Sequence, residues 1–193
     1  MTVASIETRY AGCRFRSRLE ARWARFFDHL QIRWQYEPQG LIIPDRLNLD
    51  GGGDAAYLPD FWLPELDMWA EVKGSWTTDQ ARRFLSTAAH LSETGTDVAL
   101  LPPIPRCDGD TFPSLATFRL DDDTLTECAW VPRCFAGEPM RTVATVGRMD
   151  CTAADLLGYW RWRMRRDTPP AVLGYVRALE SARSARFEHG EIG

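Results

Sequence analysis

Asp60, Glu71 and the chain's only lysine, Lys73, crowd into residues 57–76, YLPDFWLPELDMWAEVKGSW. The apolar-aromatic runs Tyr57–Leu63 and Met68–Lys73 flank Pro64-Glu65-Leu66-Asp67, whose residue types suit a tight turn. This spacing predicts a β-hairpin with a four-residue loop. Symmetric closure sets Leu63 opposite Met68, Phe61 opposite Ala70 and Asp60 opposite Glu71. Like charges facing each other destabilise a ladder, and a cation ligand turns that repulsion into a site. Lys73, two residues beyond Glu71, leaves the strand on the same face. Phe61, Leu63, Ala70 and Val72 point the other way and are expected in the core. The plainer alternative is a Pro-Asp turn followed by a Glu-x-Lys on a solvated strand face.

Composition sharpens the reading of Lys73. Of the 23 basic residues, 22 are arginine. The one position with an ammonium is thus the one beside the carboxylate pair. An ammonium is compact, approaches a water or phosphate oxygen closely and shifts its pKa with its surroundings, which guanidinium does not.

The elements that must hold this hairpin are legible on both sides of it. Ser17 opens a helical pattern with Leu19, Trp23, Phe26, Phe27 and Leu30 on one face. Ser17-Arg18-Leu19-Glu20 fits a capping box in which Glu20 reaches back to the Ser17 amide, a purely structural role for that carboxylate. Ile32–Glu37 reads as a strand and Leu41–Pro44 as another, followed by a glycine-rich connector from Asp45 to Asp54. After Gly74-Ser75-Trp76 a helix is expected from Thr77 or Thr78, with Phe84, Leu85, Ala88 and Leu91 inward. Val98–Leu101 reads as a buried strand stopped by Pro102-Pro103. Leu115–Leu120 and Leu125–Val131 suggest a second hairpin around Asp121-Asp122-Asp123, a triplet that suits a solvated turn better than a metal site. Thr142–Val146 suggests one more strand. Two helices close the chain, from Thr152 and from Thr168 with Pro169 at its first position. Trp160–Arg166 interleaves aromatics with arginines, which suits a nucleic-acid surface or an amphipathic packing helix equally.

Length and composition fit one domain, or one domain with a sizeable extension, and a real core. No apolar run approaches membrane-spanning length, and the N-terminus lacks a signal-peptide apolar region, so a cytoplasmic protein without membrane contact is expected. Cysteines 13, 107, 128, 134 and 151 contain no Cys-x-x-Cys pair, which argues against a zinc module or a disulfide framework. The net charge of −4 is unevenly spread. Residues 1–36 have 7 basic and 3 acidic side chains, residues 37–139 have 7 and 18, and residues 140–193 have 9 and 6. Basic ends around an acidic middle suit a metal site embraced by a phosphate-binding surface.

A Pro-Asp followed by Glu-x-Lys on adjoining strands resembles the PD-(D/E)xK phosphodiesterase superfamily. Residues 17–101 resemble in particular the phage endonuclease I family of Holliday-junction resolvases. Its motif elements stand here in order as Ser17/Glu20, Tyr36/Glu37, Tyr57/Pro59/Asp60/Phe61, Glu71/Lys73/Gly74 and Trp76. The resemblance implies an α/β, restriction-endonuclease-like core over residues 1–101, with a mixed central sheet flanked by helices. Residues 102–193 form a C-terminal extension of a β-hairpin and helices with no counterpart in that family. It further implies a Mg²⁺- or Mn²⁺-dependent DNA endonuclease leaving 5′-phosphate and 3′-hydroxyl ends, and a homodimer. Glu20, Asp60, Glu71 and Lys73 are its catalytic residues. Asp60, Glu71, the Val72 carbonyl and Glu20 are its metal ligands, with Glu37 as an additional candidate. Arg14, Arg16, Arg18, Arg22, Trp76 and Arg82 are the candidate DNA contacts. Two alternatives remain beside a junction-selective enzyme. One is a restriction- or repair-type nuclease acting on ordinary duplex, and the other a non-catalytic DNA-binding or assembly subunit that keeps the fold. A protein-interaction module with a structural acidic pair is a third.

Overall fold

A computed structural model describes residues 6–44, 54–109, 111–113, 115–121, 124–130, 140–145, 161–164, 166 and 170–187. Strands β1 (Thr8–Tyr10) and β2 (Cys13–Phe15) pair antiparallel and lead into helix α1 (Arg18–His29). Ser17 caps α1, its extended backbone letting the hydroxyl accept the Glu20 N–H. The helix buries Ala21, Trp23, Ala24, Phe26 and Phe27, the face expected from its periodicity, while Leu19 stays half-buried. It ends in a Schellman motif. The Ile32 N–H reaches the Phe27 carbonyl, the Gln31 N–H reaches that of Asp28, and Gln31 sits at φ +55°.

Strands β3 (Gln35–Tyr36), β4 (Leu41–Ile43) and β5 (Ala55–Tyr57) precede the central hairpin of β6 (Phe61–Leu63) and β7 (Met68–Val72). Only Gln35 and Tyr36 of the expected strand at 32–37 pair, because the chain leaves α1 through the left-handed Gln31 and turns again at Glu37, φ +45°. The hairpin has the predicted register, Leu63 opposite Met68 and Phe61 opposite Ala70. Its loop closes with the Leu66 N–H on the Leu63 carbonyl, and Asp67 takes the left-handed position.

Thr77 caps α2 (Thr78–Glu93) in a complete capping box with Gln80, and β8 (Asp97–Leu101) returns parallel to β7. Beyond it come β9 (Thr111–Pro113), β10 (Leu115–Asp121), β11 (Thr124–Trp130), β12 (Met140–Thr145), β13 (Arg161–Arg163) and α3 (Pro170–Ser184). The second hairpin pairs β10 with β11 as expected, but Asp121 lies in the ladder opposite Thr124 rather than in the turn. Over 161–163 a packing helix is not what forms. Arg161–Arg163 is a strand on β9, in keeping with an alternation of Trp and Arg whose period of two suits a strand. The helix start expected at Thr152 and the Thr168-Pro169 start lie outside the described residues.

The result is a mixed α/β architecture. A seven-stranded sheet runs β12-β11-β10-β8-β7-β6-β3, with β7–β8 its parallel pair. Strands β10, β11 and β12 thereby extend the sheet that contains the central hairpin, while β9 and β13 pair separately. Alternation along β7 and β8 divides the core. Ala70, Val72, Ala99 and Leu101 face α1 and α3, whereas Trp69, Val98 and Leu100 face α2. Phe61 is the hub of the first layer, within aromatic contact of Phe15, Phe27, Trp34 and Tyr36. Truncating it to alanine is predicted to cost about 3–5 kcal/mol, measurable by urea unfolding. A buried bond from Trp23 Nε1 to the Pro102 carbonyl, 2.9 Å, ties α1 to the end of β8. Among the described residues no helix is long and apolar enough to cross a membrane.

Candidate active site

The site grows from the open end of the hairpin. Asp60 immediately precedes β6, and Glu71 lies in β7 on the Trp69 side of the pleat. Both are almost fully buried, at 3% exposure each. Asp60 Oδ2 accepts the Val72 N–H at 2.7 Å, and Oδ1 accepts from Arg16 Nη2 at 2.8 Å. Burial pushes the Asp60 carboxyl up to about 7, and the charges of Glu71 and Glu20 push in the same direction. The Val72 N–H and the Lys73 ammonium oppose this without overcoming it. Like charges have thus been driven together in a dry place, as the hairpin register requires.

Lys73 follows β7 directly, and its N–H continues the parallel pairing to the Leu101 carbonyl. Its Nζ lies 2.5 Å from Glu71 Oε1. The other carboxylate oxygen, Glu71 Oε2, is buried with no hydrogen-bond partner. The Tyr57 hydroxyl at the end of β5 is sealed too, and it lies against the Glu71 side chain without good hydrogen-bond geometry. Burial and then the Glu71 charge hold this phenol well above its ordinary pKa, so it stays protonated.

Glu20, in the first turn of α1, is tightly held. Its Oε1 accepts from Ser17 Oγ at 2.7 Å, and its Oε2 accepts from Tyr36 Oη at 2.6 Å and from the Arg16 N–H at 3.0 Å. The capping box is therefore altered, since Glu20 reaches the amide of Arg16 rather than that of Ser17. Burial, and then the bond to Glu20, raise the Tyr36 phenol above its ordinary value. Glu37 stands opposite Asp60, where its N–H meets the Asp60 carbonyl at 2.9 Å. Its carboxylate lies 2.6 Å from the same Arg16 Nη2 that binds Asp60.

Glu20, Asp60, Glu71, Lys73 and Glu37 are thus brought into one cluster. Tyr36, Tyr57 and the role of Arg16 are what residue spacing did not reveal. Tyr36 carried a signal in standing beside Glu37, but its partner Glu20 lies 16 residues away. The expected DNA contacts scatter. Arg16 belongs to the carboxylate cluster. Arg14 is exposed and paired with Glu7, and with Arg9, Arg18 and Phe187 it lines an open hollow of about 560 Å³. Arg22 is half-buried, its Nε sealed without a hydrogen-bond partner, and Arg82 is exposed 3.8 Å from Asp79 on α2. Trp76 departs from expectation. It is buried against Phe84, ring centroids 5.3 Å apart, because the capped start of α2 folds it into the second core layer.

Among the described residues, no group of three or more His, Cys, Asp or Glu side chains is arranged to hold a metal ion. What Asp60 and Glu71 offer is a two-carboxylate, all-oxygen donor set that includes one buried oxygen without a partner. That fits a hard cation such as Mg²⁺, which takes few protein ligands and keeps several waters. No protein-family model matches this chain, and no curated protein or solved structure is significantly similar to it.

Proposed function

We propose that this chain is a metal-dependent DNA endonuclease with a restriction-endonuclease-like PD-(D/E)xK core. The observation that carries the reading is the buried Asp60–Glu71 pair, with a partnerless oxygen on Glu71 and an ammonium on its other oxygen. Burying like charges is costly, and a fold gains nothing from it unless a ligand offsets the repulsion.

Asp60, Glu71 and the Val72 carbonyl would hold Mg²⁺ or Mn²⁺, which supplies a Lewis acid beside the scissile phosphate when bound. Lys73 is a donor only, with three N–H bonds. Anchored by Glu71, it orients a water in line with the phosphorus and offsets the negative charge that gathers on the phosphoryl oxygens. Glu20, locked by Ser17, Tyr36 and Arg16, sets the field around Asp60. The water oxygen joins phosphorus and gives up a proton to solvent, the bond to the 3′ oxygen breaks, and that oxygen takes a proton from solvent. The products are a 5′-phosphate and a 3′-hydroxyl.

One observation favours a second reading, a non-catalytic DNA-binding subunit. Both Asp60 oxygens already have partners, Arg16 and the Val72 N–H. Incubation with supercoiled, linear, single-stranded and four-way-junction DNA separates the two. Cleavage with Mg²⁺ that disappears in EDTA and in Asp60→Asn is expected. DNA binding without cleavage of any substrate in Mg²⁺ or Mn²⁺ would establish the second reading instead.

A further inference from the structure

One guanidinium nitrogen, Arg16 Nη2, lies 2.8 Å from Asp60 Oδ1 and 2.6 Å from Glu37 Oε1. It therefore bridges two carboxylates at the ends of neighbouring strands, hydrogen-bonded to Asp60 and ion-paired with Glu37 without hydrogen-bond geometry. Of the two partners of Asp60, only this one can leave cheaply. The Val72 N–H is part of the sheet, whereas the Arg16 side chain is 58% exposed and hinged on a fixed backbone. That backbone is pinned, since the Arg16 N–H is shared between Glu20 Oε2 and Tyr36 Oη, at 3.0 and 3.1 Å. Glu37 holds the far end of the bridge from a left-handed backbone, a conformation uncommon outside glycine and often found at functional positions.

We propose that Arg16 is a displaceable counter-ion, its guanidinium tying Asp60 to Glu37 until a divalent cation enters at Asp60 and Glu71 and releases it to a DNA phosphate. The inference rests on the reading of Asp60 and Glu71 as a cation site. Its physical basis is competition for one oxygen. A divalent cation on Asp60 repels the guanidinium and competes with it for Oδ1, so metal entry weakens the bridge. Glu37 then loses its ion pair, but the carboxylate cluster gains net positive charge, because a divalent charge replaces a single one. The freed guanidinium stands at the mouth of the site, and its planar fork matches the geometry of a phosphate. Since release by metal is what makes Arg16 available to DNA, metal and DNA must each strengthen binding of the other.

The test measures Mn²⁺ affinity without DNA, by calorimetry and by the Mn²⁺ spin-resonance signal, in wild type, Arg16→Gln, Arg16→Lys and Asp60→Asn. Affinity for an uncleaved duplex is measured beside it, with and without Ca²⁺. Arg16→Gln is expected to bind Mn²⁺ about fivefold more tightly than wild type, the size of losing a half-exposed competing ion pair. The gain in DNA affinity that Ca²⁺ confers on wild type is expected to shrink in the same variant. A residue that merely braces the fold would weaken both. Should the glutamine variant fail to fold, the lysine variant decides. Its ammonium is more strongly hydrated, so it is expected to bind Mn²⁺ more tightly than wild type. Mn²⁺ affinity unchanged or weakened in whichever variant folds overturns the proposal. If wild type binds Mn²⁺ no better than Asp60→Asn, the cation site itself fails and the proposal with it. If wild type clearly exceeds Asp60→Asn while the Arg16 variants match wild type, only the role of Arg16 fails.

Discussion

Lys73 Nζ sits 2.5 Å from Glu71 Oε1, while the other oxygen of Glu71 is sealed from solvent with no partner. One half of the carboxylate is thus fixed by the chain's single lysine, and the other half is not, with the buried Tyr57 phenol against the same side chain. The relationship sets the sharpest expectation for a variant.

Lys73→Arg keeps the charge and changes the shape. Its side chain is about 30% exposed, so there is room for guanidinium and the fold should tolerate it. Guanidinium reaches further and spreads its charge, however, and a misplacement of about 1 Å can cost on the order of 100-fold in rate. Single-turnover cleavage of labelled duplex and junction DNA should fall by about 100-fold, or roughly 2.7 kcal/mol of transition-state stabilisation. Binding of both in Ca²⁺ should persist. An arginine variant cleaving within about threefold of wild type sinks the proposed role.

Glu20→Gln separates holding the fold from tuning the chemistry. The amide oxygen can still accept from Tyr36 and from the Arg16 N–H, and the amide nitrogen can donate to Ser17. Only charge is lost, so stability should change by about 1 kcal/mol. Cleavage should fall at least about tenfold, equivalent to roughly 1.4 kcal/mol. Equal activity in the two proteins would leave Glu20 a helix cap and nothing more.

The Asp60 carboxyl predicts an unusual pH profile for the metal-free protein. Its pKa is raised on folding from the ordinary 3.8 to about 7, so the folded state holds its proton more tightly than the unfolded state does. The stability this confers is fully present below the unfolded value. It is lost as pH rises through that value towards about 7, at roughly 1.4 kcal/mol per unit at most. Urea unfolding in EDTA should show wild type losing stability relative to Asp60→Asn between about pH 4 and pH 7, with a constant difference above. Parallel profiles for the two proteins would remove the argument for a repelling pair.

Gln31 ends α1 in the left-handed region, where a Cβ crowds the following carbonyl. Relief of that strain is worth about 1–2 kcal/mol, against about 0.5–1 kcal/mol for the extra freedom of glycine in the unfolded chain. Gln31→Gly should therefore stabilise the protein by about 0.5–1 kcal/mol, read as a higher urea midpoint with an unchanged slope. A lower midpoint would show that Gln31 contributes contacts beyond its backbone.

The hairpin register, the Ser17 cap and the inward faces of α1 and α2 are written in local sequence, because alternation, capping and helical period act between residues a few positions apart. For the same reason the meeting of Asp60 with Glu71 and the face shared by Glu71 and Lys73 are legible from residues 57–76 alone. The partner of Arg16 is not. Nothing between residues 14 and 22 distinguishes that arginine from its neighbours, and its bond to Asp60 spans 44 positions. Trp76 likewise reads as a surface aromatic until α2 folds back and Phe84 covers it. Burial decides which of the carboxylates repel, and the placing of the Ser17 turn against the ends of β3 and β6 decides which arginine answers them. Both depend on how distant segments pack, which no pattern along the chain encodes.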